Sequence, residues 1–246
     1  MPRGPRITFD NALFHIVNRG NARQEIFHEP ADFDKFAYIL ACYKDKFGFK
    51  MYHCCLMPNH IHFLWEIPKA EILSKAMQGI TLSYTRFHHA KYKQVGHFWQ
   101  GRFKNVLVEK ESHAMHIGGY IEKNPVRAGL VKKPDDWKWS SFRFYAMGEP
   151  WGAWIVGEDS KKKWVDLIDS DSFYEELGDN PIERQKNYLN FIGRIDDDAM
   201  KKELSFQNRV AIGSENFRKN TIERLNKLGI VINPKTKKRG RPRKGE

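Results

Sequence analysis

The stretch MPNHIHFLW, residues 57–65, decides the fold of this chain. It begins with the turn residues proline and asparagine, and the apolar alternation that follows predicts a strand. Because residues two apart on a strand face the same side, His60 and His62 are expected side by side, with Ile61 and Phe63 in the core behind them. Two imidazoles so placed can bind one divalent metal ion. The alternative is a pair of polar residues on a solvated face, since two ligands alone rarely make a metal site.

The segments around this stretch alternate between strand-like and helix-like patterns. We predict strands at 12–18, 49–56, 60–67 and 103–109, and helices at 30–47 and 70–92. The resulting β-α-β-β-α-β order is the split βαβ pattern. It predicts an α+β fold with a ferredoxin-like core, namely a four-stranded antiparallel sheet with both helices on one face. The other face is expected to be free to bind a partner, and a further helix over 112–123 carries Tyr120.

The pattern changes near residue 148, where a loop rich in glycine and tryptophan begins. We expect residues 1–148 to form one domain and residues 149–232 to form a helical region that contacts DNA. Its helices are predicted at 165–169, 172–177, 181–192, 199–209 and 215–228. Residues 233–246 are strongly basic with little apolar content, so they are predicted to be a disordered tail.

Composition restricts the class of partner. The 246 residues carry a formal net charge of +12, which indicates an anionic partner, nucleic acid first and a membrane surface second. No apolar run approaches the roughly 18 residues of a membrane-spanning helix, so no membrane insertion is expected. The N-terminus lacks the apolar core of a signal peptide, and the three cysteines fit reduced thiols. We therefore expect a cytoplasmic, nucleoid-associated protein.

Cations and aromatic residues cluster in three places that suit nucleic-acid contacts. A loop over 91–104 mixes lysine, arginine and tryptophan, which suits phosphate contacts and base stacking. An extended proline-rich arm opens the chain, and residues 239–243 (RGRPR) resemble an AT-hook core that lies in a narrow minor groove. The alternative for the loop is solvated lysines around a core tryptophan. The expected DNA contacts are Arg3, Arg6, Arg19, Trp99, Arg102, Lys104, Arg127, Arg239, Arg241 and Arg243.

Tyr120 and Asn124 lie four residues apart on the predicted helix, one turn from each other. A free phenol is a poor nucleophile because its pKa is near 10, and a metal ion can assist it by polarising a phosphodiester oxygen. The amide oxygen of Asn124 suits a hard cation such as Mg²⁺ or Mn²⁺. Spacing alone leaves alternatives open, because Tyr120 also suits core packing and Asn124 also suits a helix terminus.

The motifs taken together resemble the single-tyrosine HUH transposases, and in particular their REP-associated tyrosine transposase branch. They are MPNHIH (57–62), YIEKNPVRAGLV (120–131), NRGN (18–21), FWQGRF (98–103) and WSSF (139–142), in the order of that family. The resemblance implies a ferredoxin-like core and an enzyme that nicks and rejoins single-stranded DNA at hairpin-forming palindromes. It further implies a 5′-phosphotyrosine intermediate on Tyr120, with Mg²⁺ or Mn²⁺ held by His60, His62 and Asn124. A monomer and a homodimer both remain open.

Two other functions remain open as hypotheses. One is a catalytically idle hairpin-binding protein or repressor, and the other is a metal hydrolase of a small substrate. Gly118 and Gly119, directly before Tyr120, also have two interpretations. They either loosen the helix so that Tyr120 moves between cleavage and rejoining, or they permit close backbone packing.

Overall fold

A computed structural model of the protein describes residues 7–157, 160–203 and 210–230, without the side chains of residues 111, 112 and 201–203. The predicted DNA contacts at Arg3, Arg6, Arg239, Arg241 and Arg243 lie outside the described residues, as do the basic tail and most of the helix predicted at 199–209.

Strands and helices alternate in the first half of the chain as the sequence predicts. The strands are β1 (Ala12–Arg19), β2 (Lys50–Met57), β3 (His60–Ile67), β4 (Lys104–Val108), β5 (Gly152–Val156), β6 (Lys162–Asp166) and β7 (Ala211–Ile212). The α-helices are α1 (Pro30–Phe47), α2 (Ala70–Tyr92), α3 (Lys110–Glu122), α4 (Asn124–Arg127), α5 (Phe142–Met147), α6 (Ser172–Glu175), α7 (Pro181–Gly193), α8 (Asp197–Glu203) and α9 (Glu215–Lys227).

The main sheet has the order β2-β3-β1-β4-β7. The first four strands pair antiparallel, which confirms the α+β fold and the split βαβ core. The prediction of four strands is wrong by one, because β7 pairs parallel to the edge strand β4 through Leu107 with Ala211 and Val108 with Ile212. The added strand covers the free hydrogen-bonding edge of β4.

Helices α1 and α2 pack against each other, and α2 contacts β3. Local signals set the ends of α1: its first residue is Pro30, and Gly48 adopts the left-handed conformation (φ 63°) that ends it. Phe36 of α1 stacks on Phe63 of β3 at a ring separation of 6.3 Å. The even-odd alternation of β3 therefore turns Phe63 towards the helices and the two histidines towards the opposite face.

The opposite face of the sheet is covered in part by α3, which packs on β2 and β3. A side chain at Gly118 would meet the ring of His53 at 2.4 Å, so the helix approaches β2 as closely as glycine permits. The expectation of an uncovered face is therefore corrected at this point. The covering helix is the one that carries Tyr120.

The region beyond residue 148 is not wholly helical, which corrects the prediction. The segment read as a loop and a short helix at 165–169 forms a β5–β6 hairpin, with Trp154 opposite Trp164. Its inward residue Ile155 is buried, and β5 packs on α1. The helices predicted at 172–177, 181–192 and 215–228 are confirmed as α6, α7 and α9. The division of the chain at residue 148 stays a prediction.

Within the described ranges, no helix has both the length and the apolar character needed to cross a membrane.

Candidate active site

His60 and His62 project from β3 to the same face, with ring centroids 4.9 Å apart. His60 Nδ1 lies 2.6 Å from Asn59 Oδ1. The Asn59 amide is oriented by its own Nδ2, which donates to the carbonyl of Arg23 at 3.3 Å. An amide oxygen only accepts, so His60 carries its proton on Nδ1 and presents the lone pair of Nε2. This is the tautomer that a metal-binding histidine adopts when its other nitrogen is hydrogen-bonded.

His62 is buried against His15 of β1. The two rings stack with centroids 5.3 Å apart and an interplanar angle of 13°. His62 Nδ1 and His15 Nε2 are 3.1 Å apart, within hydrogen-bond distance, and this contact leaves His62 Nε2 facing away from His15. Neither the sequence spacing nor the motif pointed to His15, because the contact crosses between strands.

Both histidines of the pair are uncharged at neutral pH. Burial, followed by the charge of Arg19, lowers the pKa of His60 to about 4. Burial, with smaller contributions from His60, His15, Arg127 and Arg19, holds the pKa of His62 well below its ordinary value. Neutral imidazole is the form that binds a metal ion, so the pair fits that role. Among the described residues, no group of three His, Cys, Asp or Glu side chains is arranged so that it could hold a metal ion.

Residues that pair directly across neighbouring strands face the same side of the sheet. The strand register therefore identifies the other residues on the face of His60 and His62. Arg19 of β1 pairs with His60, and Val17 pairs with both His62 and Lys104. Arg19 Nε is buried and has no hydrogen-bond partner among the described residues. Lys104 is exposed at the start of β4. The structure therefore brings Arg19 and Lys104, both predicted DNA contacts, to the face of the histidine pair.

Tyr120 lies half-buried near the end of α3, and its ring is covered by Arg127. The guanidinium carbon of Arg127 is 3.7 Å from the ring centroid, and Nη2 donates to the Tyr120 carbonyl at 2.7 Å. The charge of Arg127 also contributes to the low pKa of His62. Arg127 therefore both covers the Tyr120 ring and acts through its charge on His62.

Asn124 begins α4, one turn after Tyr120. Its Nδ2 donates to the carbonyls of Tyr120 at 3.2 Å and Ile121 at 2.9 Å. These bonds cap the end of α3 and orient the amide, so Oδ1 is the atom that points away from the helix. Asn124 therefore has the role at the helix terminus that the sequence allowed. This role uses Nδ2 and is compatible with a ligand role for Oδ1.

Trp99 is anchored to α2 rather than fully presented to solvent. Its Nε1 donates to the Thr81 carbonyl at 3.2 Å and lies 3.0 Å from Thr85 Oγ1, and its ring meets Phe98 edge to face. Arg102, three residues later, is exposed. The roles of Trp99 and Arg102 in DNA binding stay predictions.

A buried polar cluster under α3 was not predicted. Glu122 accepts from His53 Nδ1 at 2.9 Å, from Ser141 Oγ at 2.5 Å and from Tyr188 OH at 2.6 Å. On the other side of the ring, His53 Nε2 lies 3.6 Å from Asp171 Oδ2. Asp171 and Tyr188 come from the C-terminal region, so this region is joined to the tyrosine helix two residues after Tyr120. The sequence signal was weak, since a histidine inside a strand-like run usually packs in the core.

Residues 8–124 match the family described as "Transposase IS200 like". The chain is 28% identical over 130 residues to the REP-associated tyrosine transposase of Escherichia coli, covering 52% of this chain and 74% of that protein. It is also 28% identical over 117 residues to a Haemophilus influenzae protein with a provisional name of the same class, covering 43% of this chain. The chain spans 65% of the length of that second relative.

A solved structure supports the same fold. It is that of a REP-associated tyrosine transposase bound to a REP hairpin, which shares 22% sequence identity with this chain and a TM-score of 0.52. The match covers 66% of this chain and 98% of the solved one. Residues 8–124 therefore match the family of IS200-like transposases, and over much the same part the chain is similar to REP-associated tyrosine transposases.

Proposed function

We propose that this protein is a metal-dependent endonuclease and strand transferase of single-stranded DNA, acting at hairpin-forming palindromes through a 5′-phosphotyrosine intermediate. The observation that carries the proposal is the position of Tyr120. It lies under Arg127 on a helix that packs against the strand of His60 and His62. The proposed substrate class is supported by the solved structure of similar fold, in which a REP-associated tyrosine transposase is bound to a REP hairpin.

His60, His62 and Asn124 are the proposed metal ligands. The two imidazoles are neutral, and Asn59 holds His60 in the tautomer that presents Nε2. Asn124 would add its Oδ1, since Nδ2 is held by the helix carbonyls. Imidazole and amide oxygen together suit Mn²⁺ or Mg²⁺. Such an ion would polarise a phosphodiester oxygen and so favour attack at phosphorus.

Tyr120 is the proposed nucleophile. Its phenolic oxygen bonds to phosphorus as the bond from phosphorus to the 3′-oxygen breaks, and the phenolic proton leaves to solvent while the 3′-oxygen is protonated. The products are a tyrosine-linked 5′-phosphate and a free 3′-hydroxyl, and rejoining is the reverse attack by a 3′-hydroxyl. The guanidinium of Arg127 over the ring favours the negative charge that the phenolic oxygen carries as it attacks.

The remaining basic residues are proposed to bind the substrate. Arg19 and Lys104 lie on the face of the histidine pair and would contact phosphates near the cleaved bond. Trp99 and Arg102 would contact the splayed strand, and Arg127 would contribute to phosphate binding with its unused N–H groups. The N-terminal arm (Arg3, Arg6) and the basic tail (Arg239, Arg241, Arg243) would bind the duplex stem weakly and with strong salt dependence.

The arrangement of the whole chain is proposed as follows. Residues 1–148 form the catalytic domain, residues 149–232 support it and contact DNA, and residues 233–246 form the basic tail. A monomer is compatible with the extensive packing of the C-terminal region on the core, and a homodimer is the alternative. The proposed location is the cytoplasm, in association with the nucleoid.

The test is a denaturing gel of the protein incubated with Mg²⁺ or Mn²⁺ and labelled single-stranded hairpins taken from beside its own gene. We expect a covalent adduct with the wild-type protein and none with Tyr120→Phe, His60→Ala or His62→Ala. Hairpin binding without an adduct, across both metals, would instead support the hairpin-binding protein or repressor. A small-substrate hydrolase would show neither an adduct nor specific hairpin binding.

A further inference from the structure

Asp197 lies in the first turn of α8 and contacts the end of α3, which carries Tyr120, and the following helix α4. Its Oδ1 lies 2.9 Å from Arg127 Nη1, and its Oδ2 lies 2.8 Å from Lys123 Nζ. One carboxylate therefore holds two cations that follow Tyr120 in sequence by three and seven positions. The three side chains are only 18–31% exposed, so this pair of contacts is better shielded from solvent than an ordinary surface ion pair.

Among the described residues, Asp197 is one of two hydrogen-bond anchors of the Arg127 guanidinium. The other is the Tyr120 carbonyl, which accepts from Nη2 at 2.7 Å. Because a guanidinium is planar and its donors point in fixed directions, these two bonds together set the plane that lies 3.7 Å from the tyrosine ring. With one anchor alone, the group would rotate about the remaining bond and leave the ring.

The segment just before Asp197 packs directly against α3. A side chain at Gly119 would meet Ile195 at 2.2 Å and Ile192 at 2.5 Å, so the backbone of α3 lies directly against these two residues. Lys123 Nζ also donates to the Ile195 carbonyl at 3.2 Å. The position of the carboxylate is thus set by packing and by a second bond, and does not depend on the ion pairs alone.

We infer that Asp197 is a positioning residue for Tyr120, acting through Arg127, so that the region beyond residue 148 completes the active site. The inference rests on the proposed function. Removal of the carboxylate is expected to slow attack by Tyr120 without weakening DNA binding, since it removes a negative charge from a site for an anionic substrate.

The test compares Asp197→Asn, Asp197→Glu and a matched control, Asp198→Asn, which removes the same charge from an exposed residue of the same helical turn. We would measure hairpin affinity and the single-turnover rate of adduct formation at saturating hairpin. Asp197→Asn is expected to slow the rate about tenfold, equivalent to about 1.4 kcal/mol, with affinity unchanged or tighter. Asp197→Glu is expected to restore most of the rate, and Asp198→Asn to behave as wild type. An unchanged rate in Asp197→Asn, or an equal loss in Asp198→Asn, overturns the inference.

A second readout needs neither DNA nor metal. In protein with ¹³C-labelled tyrosines, the Tyr120 ring resonance is assigned by its loss in Tyr120→Phe. We expect this resonance to shift in Asp197→Asn and not in Asp198→Asn, because only the former replaces the charged acceptor of Arg127 by a neutral amide and so loosens the guanidinium on the ring. An unshifted resonance overturns the inference even if adducts form. A shifted resonance in a protein whose wild type forms no adduct supports the contact and rejects the proposed function instead.

Discussion

His53 Nδ1 lies 2.9 Å from Glu122 Oε1, and both side chains are fully buried. Burial alone favours a neutral imidazole, but the hydrogen bond to Glu122 and the negative charges of Asp171 and Glu122 outweigh it and raise the pKa of His53 to about 9. His53 is therefore an imidazolium at neutral pH, with a carboxylate on each side of its ring. This charged cluster joins β2, the helix of Tyr120 and the C-terminal region at one point.

The first prediction concerns stability above neutral pH. The pKa of His53 is raised from about 6.5 in the unfolded chain to about 9, so its contribution is complete below pH 6.5 and is lost as pH rises towards 9. Between pH 7 and 8.5 the free energy of unfolding should fall by about 1 kcal/mol per pH unit from this group. Urea unfolding at several pH values measures the slope.

The control for this slope is Asp171→Asn, which removes one of the two carboxylates that hold the proton on His53. Its slope over the same range should be smaller, because the pKa of His53 then lies nearer to its ordinary value. Staying below pH 8.5 limits any contribution from Cys54 and Cys55, whose pKa values are raised by burial. Equal slopes in the two proteins would contradict a charged His53.

The second prediction concerns Gly118. A Cβ there would lie 2.4 Å from the His53 ring, which is buried and has little room to move. Gly118→Ala should therefore lower the free energy of unfolding by about 1–2 kcal/mol, although alanine favours the helix by about 1 kcal/mol. Gly193→Ala is the matched control, because nothing lies within 4 Å of its added Cβ and it should be neutral or stabilising. Thermal unfolding of the two variants gives the comparison.

The same variants decide between the two interpretations of the glycine pair. Gly118 lies against His53, and Gly119 lies against Ile192 and Ile195. These contacts support the interpretation that both glycines permit close packing, which explains them without a mobile helix. If Gly118→Ala retained full stability but lost the ability to rejoin DNA, mobility would be the better explanation.

The third prediction concerns Arg19, which pairs with His60 across β1 and β3. Arg19→Ala should weaken hairpin binding roughly ten- to a hundredfold, since a hydrogen bond to a charged group contributes about 1.5–3 kcal/mol. The slope of log affinity against log salt should also fall by about one phosphate contact, roughly 0.7–0.9. Arg86→Ala removes the same charge from an exposed position on α2, across the sheet from the histidines, and is the control. Equal effects of the two substitutions in a salt titration would exclude a specific contact by Arg19.

Helices and strands whose ends are marked by local sequence signals were predicted with the same bounds that the structure has. The ranges 30–47, 60–67 and 70–92 are α1, β3 and α2, because proline, glycine and clear apolar periodicity mark them. β7 was missed because it has two residues and exists only through pairing with β4. The β5–β6 hairpin was missed because β5 (GAWIV) lies in a segment rich in glycine and tryptophan and β6 (KKWVD) is mostly exposed, so neither shows the apolar and polar alternation of a half-buried strand.

Site residues that lie within one sequence motif could be predicted, as for His60 with His62 and for Tyr120 with Asn124. Arg127 was predicted as a phosphate contact, but its stacking on Tyr120 required the turn between α3 and α4. His15, His53 and Asp197 could not be found, since each reaches the site from another strand or from the C-terminal region. Contacts between residues 47 to 70 positions apart, such as His15 with His62 and Arg127 with Asp197, have no local signature in a single sequence.

The central claim, that Tyr120 forms the covalent link to DNA, is tested most directly by mass spectrometry. The adduct with a short labelled hairpin is digested with trypsin and nuclease, and the peptide ESHAMHIGGYIEK (residues 111–123) is examined, in which Tyr120 is the one tyrosine. The account predicts a nucleotide 5′-phosphate on Tyr120, dependent on a divalent metal and lost in His60→Ala. A nucleotide found on another residue, or an adduct that persists in Tyr120→Phe, would contradict it.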